Sequence, residues 1–100
     1  MRRVVVTGLG MLTPLGNGVD VNWKRLISGQ SGIRKISDFD VSDISCKIAG
    51  QIPQKIDDPE AGLDIDQWIE PRDQKRIDRF IAYGIISAMQ AVEDSGWKPK

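Results

Sequence analysis

The chain has 100 residues, room for one small domain with a modest core. Its 14 Lys and Arg balance 14 Asp and Glu, which excludes a generally basic nucleic-acid binder and an acidic tail protein. With no histidine there is no Ser-His-Asp triad, Cys-His pair or histidine-ligated metal within these residues, and a single cysteine forms no intrachain disulfide and fits a reducing cytoplasm.

The start, Met1-Arg2-Arg3-Val4-Val5-Val6, is basic and then apolar, like a signal peptide. The apolar run breaks at Thr7-Gly8, and no cleavage site follows. No stretch nears the roughly 20 apolar residues that span a membrane. Residues 3–9 instead predict a buried strand. Val4, Val5 and Val6 are consecutive and β-branched, as in a parallel sheet covered on both faces. Gly8, Gly10, Pro14 and Gly16 then punctuate a loop.

Asp20 predicts the N-cap of a short helix ending near Ser28. Val21 and Asn22 open it, and Trp23, Leu26 and Ile27 share one face. Gly29 stands where a glycine ends such a helix. Residues 30–45 read mostly as loop. Residues 47–52 read as a second, short, edge-like strand ended by Pro53. Residues 57–66 carry five acids, Asp57, Asp58, Glu60, Asp64 and Asp66, which predict a solvated loop. A calcium loop needs a glycine and a terminal Glu that this spacing lacks.

Pro71 suits the first residue of a helix. Arg72, Lys75, Arg76 and Arg79 follow at i, i+3, i+4 and i+7, which predicts one basic face, diluted by Glu70, Asp73 and Asp78. Such a face is either a solvated, salt-bridged surface or a docking surface for an acidic partner. Asp78 predicts the cap of a longer helix through Ser95, ended by Gly96. Within it, residues 80–92 hold only Ser87 and Gln90 as clearly polar groups. A helix apolar all round is buried all round. Ala82, Gly84, Ser87, Ala88 and Ala91 keep it slim. The rest of the chain offers too little to wrap it, so the expectation is a piece of a larger layered α/β protein or an obligate oligomer.

Gly8-Leu9-Gly10 after a strand suggests a dinucleotide-binding turn, but the third glycine of that fingerprint is missing and the next helix starts late. These glycines are better read as allowing positive φ and tight packing. Cys46 has no histidine to activate it and reads as an inert cysteine.

Taken in order, Arg3-Val4-Val5-Val6-Thr7-Gly8-Leu9-Gly10-Met11, Thr13-Pro14-Leu15-Gly16-Asn17, Trp23, Ser28-Gly29-Gln30-Ser31-Gly32-Ile33 and Asp78-Arg79-Phe80 closely resemble the start of the β-ketoacyl-acyl carrier protein synthases. The Thr-Pro-Leu-Gly-Asn turn and Trp23 resemble the type II branch more than type I. The resemblance covers essentially the whole chain. It implies the N-terminal part of a thiolase-like α/β fold, layered αβαβα, with residues 78–95 as a buried central helix. All 100 residues would form an incomplete portion of one N-terminal domain, with no second domain.

The resemblance also implies a cytoplasmic homodimer that elongates fatty acids by Claisen condensation of malonyl-acyl carrier protein with an acyl-enzyme thioester. No cofactor, metal, nucleic acid or membrane enters. The family's nucleophilic cysteine and two histidines lie beyond these residues, and Cys46 does not match the nucleophile's motif, so the chain alone is expected to be inactive. In similar synthases, basic residues just ahead of the central helix contact the acidic second helix of acyl carrier protein. The matching positions are Arg72, Lys75 and Arg76. The first is more often Lys in the family, and the order of the other two varies; both departures keep the charge. Two rival readings are a small non-catalytic α/β scaffold that oligomerises through the apolar helix, and a truncated nucleotide-binding module.

Overall fold

A computed structural model describes residues 1–98. The chain forms two compact units. One comprises Met1–Leu12 with Asp64–Lys100, the other Thr13–Leu63.

The first unit is organised on its longest helix. After helix α1 (Val19–Ile27), which lies in the other unit, and a 3₁₀ turn (Ile65–Gln67), the helices of this unit are α2 (Pro71–Gln74) and α3 (Arg79–Ser95). Asp78 stands at the N-cap of α3 with extended backbone, as its sequence predicts, although its side chain makes no capping bond. Gly96 closes the helix at φ 74°, a left-handed conformation that costs glycine least, and its N–H reaches the Glu93 carbonyl at 3.1 Å.

The burial of α3 is partial, in keeping with a chain too short to wrap it. Only Ala82 and Ile86 are buried, while Phe80 is 72% exposed and Ile81, Ile85, Met89 and Val92 remain 38–40% exposed. The helix is apolar on all sides, but among the described residues it is covered on part of its circumference only.

The strand expected over residues 3–9 is also absent. Strands are defined by pairing, and no described segment pairs with this one. Val4, Val5 and Val6 stand exposed. The segment that follows lies along α3. The Leu9 N–H donates to Asp94 Oδ2 and the Met11 N–H to Gln90 Oε1, each at 2.9 Å. Gly8 and Gly10 are needed for closeness, not for unusual φ. A Cβ on Gly8 would overlap the Ala91 carbonyl, and one on Gly10 would overlap the Ser87 carbonyl. The small residues of α3 thus accept bare backbone, and the glycine pair is a packing device.

The strands β1 (Leu12–Thr13) and β2 (Gly16–Asn17) form a minimal hairpin, and the second unit begins within it at Thr13. Helix α1 spans Val19–Ile27. Its N-cap is Gly18 rather than Asp20, which falls in the first turn, where a carboxylate suits the positive end of the helix. The inward residue of α1 is polar. Asn22 is 3% exposed, donates through Nδ2 to the carbonyls of Gly16 (2.9 Å) and Gly18 (2.6 Å), and pairs through Oδ1 with the Thr13 hydroxyl. Trp23, Leu26 and Ile27 form the outward stripe and are exposed.

Residues 30–45 are not all loop. Strand β3 (Ile33–Lys35) pairs antiparallel with β4 (Ile48–Gly50), with Arg34 opposite Ala49. Both strands are short, as expected of the second. Buried Gln51 locks the ribbon. Its Oε1 accepts from the Ser37 and Asp38 N–H groups, and its Nε2 donates to the Lys35 carbonyl. The unit's apolar core is Ala61 and Leu63, and the Leu63 N–H donates to the Pro53 carbonyl at 2.7 Å.

Candidate docking site

The basic residues ahead of α3 sit on a stiff turn. Asp64 caps the 3₁₀ turn by accepting from the Asp66 N–H. The Ile69 N–H then bonds the Ile65 carbonyl, and Ile69 itself is buried. Gln74 ties α2 back to this turn, donating through Nε2 to Asp66 Oδ1 at 2.7 Å and to the Ile69 carbonyl at 2.8 Å. Glu70 is extended, as a residue before proline prefers, and its carbonyl accepts from the N–H groups of Asp73 and Gln74. Pro71 occupies the first helical position, as expected.

On this base Arg72, Lys75 and Arg76 are all exposed. Arg72 Nη2 lies 3.9 Å from Glu70 Oε2. The continuous basic face expected through Arg79 is not formed. Helix α2 ends at Gln74, Lys75 caps it, and Asp78 is extended before α3 begins. Arg79 therefore belongs to a separate helix, and the basic cluster is Arg72, Lys75 and Arg76. Arg76 also borders a depression lined by Trp68, Ile69, Ile77 and Ile85. Trp68 Nε1 is buried there with no hydrogen-bond partner among the described residues.

The family model for the N-terminal domain of β-ketoacyl synthases matches residues 1–100. The chain belongs to the β-ketoacyl synthase family. It is 45% identical over 100 residues to the 3-oxoacyl-acyl-carrier-protein synthase 2 of Rhizobium meliloti (strain 1021), and 46% identical over 95 residues to the enzyme of the same name in Vibrio cholerae serotype O1. It covers 24% and 21% of those relatives' lengths, so it spans about a quarter or less of each. Among solved structures it resembles the ishigamide ketosynthase/chain length factor, with a TM-score of 0.81 and 30% identity, over 97% of this chain and 22% of that one. The described fold is accordingly a mixed α/β portion of a ketosynthase N-terminal domain.

In this ketoacyl synthase domain Cys46 is exposed. Its thiol donates to the Ile48 carbonyl at 3.3 Å. No group of three or more metal-ligating side chains is gathered among the described residues, and none of their helices is long and apolar enough to cross a membrane.

The acidic run is less uniform than a solvated loop. Asp64 caps the 3₁₀ turn, Asp66 accepts from Gln74, and Asp58 forms a part-buried ion pair with Arg25. Arg25 Nη1 lies 2.6 Å from Asp58 Oδ2 and 2.8 Å from the Leu15 carbonyl. The hydrogen bond from Arg25 holds the Asp58 carboxyl below its usual range, against the opposing effect of burial. No local spacing signals this pair.

Proposed function

We propose that this chain is the N-terminal portion of a condensing enzyme that elongates acyl chains carried on acyl carrier protein. The family match across residues 1–100 carries this reading, with the type 2 synthases at 45–46% identity in support. In the complete protein, an acyl group passes from the carrier's thiol to an enzyme cysteine. Malonyl-carrier protein then loses CO₂, and the resulting carbanion attacks the enzyme thioester. The cysteine thiolate leaves, and the product is a 3-oxoacyl-carrier protein two carbons longer. The surrounding fold is thiolase-like and layered, the working form is a cytoplasmic homodimer, and α3 lies in its interior. The 100 residues alone are inactive, because they lack histidine and the Cys46 thiol, which donates to the Ile48 carbonyl, meets no activating base among the described residues.

The contribution of this portion is docking. Arg72, Lys75 and Arg76 receive the acidic helix of the carrier. Their exposure limits each ion pair to a small energy, so the patch acts chiefly on encounter rate and orientation and is weakened by salt. Lys75→Glu with Arg76→Glu in the full-length enzyme raises KM for carrier-bound substrate about ten-fold at low ionic strength. It spares short acyl-thioester analogues. Equal loss with both substrates overturns the docking role. The condensing reading is tested by the coding sequence past Lys100, which must supply a cysteine and two histidines.

A further inference from the structure

The docking turn carries its own competitor. Between Glu70 and Arg76 the sequence places three cations and two anions, Glu70 and Asp73. Of the two anions, Glu70 is the one placed against a docking cation, 3.9 Å from Arg72. Both side chains are about three-quarters exposed, at 74% and 78%. The Glu70 backbone is held by Pro71 and by the two N–H groups on its carbonyl, so its side chain always starts from the head of α2, beside Arg72. A carboxylate from an acidic helix must take Arg72 from Glu70 or share it.

We propose that Glu70 is a positioning residue that attenuates docking by occupying Arg72 in the free enzyme, keeping the carrier's complex weak enough to turn over. This rests on the docking reading above. The pair is exposed, so the effect is modest and falls away as salt screens it.

The test uses the full-length enzyme with carrier-bound substrate. Glu70→Gln lowers KM about two-fold at low ionic strength, leaves kcat unchanged, and loses its advantage in high salt. The gain disappears when Arg72→Gln is already present. Asp73→Asn removes the same charge from a residue that forms no ion pair with Arg72, and it gives a smaller gain. An unchanged KM in Glu70→Gln overturns the proposal, as does an equal gain from Asp73→Asn or a gain that persists without Arg72. If the Lys75→Glu, Arg76→Glu enzyme keeps its KM, the docking reading falls and takes this one with it. If that enzyme loses affinity while Glu70→Gln is silent, only the role of Glu70 falls.

Discussion

Arg25 and Asp58, 33 residues apart in the chain, meet as a bidentate pair, with Nη1 to Oδ2 at 2.6 Å and Nη2 to Oδ1 at 3.3 Å. Asp58 Oδ1 also accepts from the Ala61 N–H, and Arg25 reaches the Leu15 carbonyl. One ion pair therefore fastens α1, the loop before it and the acidic loop of the same unit. Its geometry is of the kind that outperforms an ordinary surface pair.

This pair gives the protein an acid sensitivity. The folded Asp58 carboxyl titrates below its unfolded value, chiefly because it accepts hydrogen bonds from Arg25. Its stabilisation is complete above that unfolded value and is lost as pH falls through the lower folded one. Asp58→Asn costs about 1–2 kcal/mol at pH 7. Thermal unfolding followed from pH 7 to pH 3 shows the two proteins converging at the acid end. Parallel curves would refute the assignment.

Gly10 and Gly84 make a matched pair of tests on backbone packing. Gly10→Ala drives a methyl into the Ser87 carbonyl and threatens the Met11 to Gln90 bond, so it destabilises by about 2 kcal/mol or more. Gly84→Ala meets nothing within 4 Å and gains helix propensity, about 0.5–1 kcal/mol. Opposite shifts in denaturation midpoint are expected. A neutral Gly10→Ala would show that the segment does not lie against α3.

On α1 the polar residue outweighs the aromatic one. Asn22→Ala removes three side-chain hydrogen bonds, to the Gly16 and Gly18 carbonyls and to the Thr13 hydroxyl, while the backbone N–H at this position still donates to the Gly18 carbonyl; the loss is about 2–3 kcal/mol. Trp23→Ala removes an outward side chain and costs about 0.5 kcal/mol or less. Urea titration of the two variants checks the ranking.

On α3, Ile86→Ala empties a fully buried site and costs about 2–4 kcal/mol. Ile85→Ala, two-fifths exposed, costs about 1 kcal/mol in the 100-residue chain. Equal losses from both in a full-length synthase would mean that further protein covers Ile85 there.

What was legible in the sequence was local. The bounds of α3 follow from Asp78 and Gly96, the start of α2 from Pro71, and the end of α1 from Gly29, because caps act within one turn of the residues that announce them. Pairing was not legible. Val4 to Val6 have the composition of a strand, but a strand exists only beside another. The partner of Arg25 lies 33 residues away, where no periodicity points. The docking cluster was legible as three cations. Its separation from Arg79 follows from the same Asp78 that the sequence marks as a cap, because a residue in extended conformation breaks the register of any helical face drawn across it.

The bare valines near the N-terminus have a practical consequence. Val4, Val5 and Val6 are a run of exposed β-branched side chains that pairs with no strand among the described residues. Such a seam welcomes any extended chain, including another molecule of itself. Handled in isolation and at high concentration, these 100 residues should clump from that end first, and a charge placed at Val5 should delay the clumping more than the same charge placed on α1.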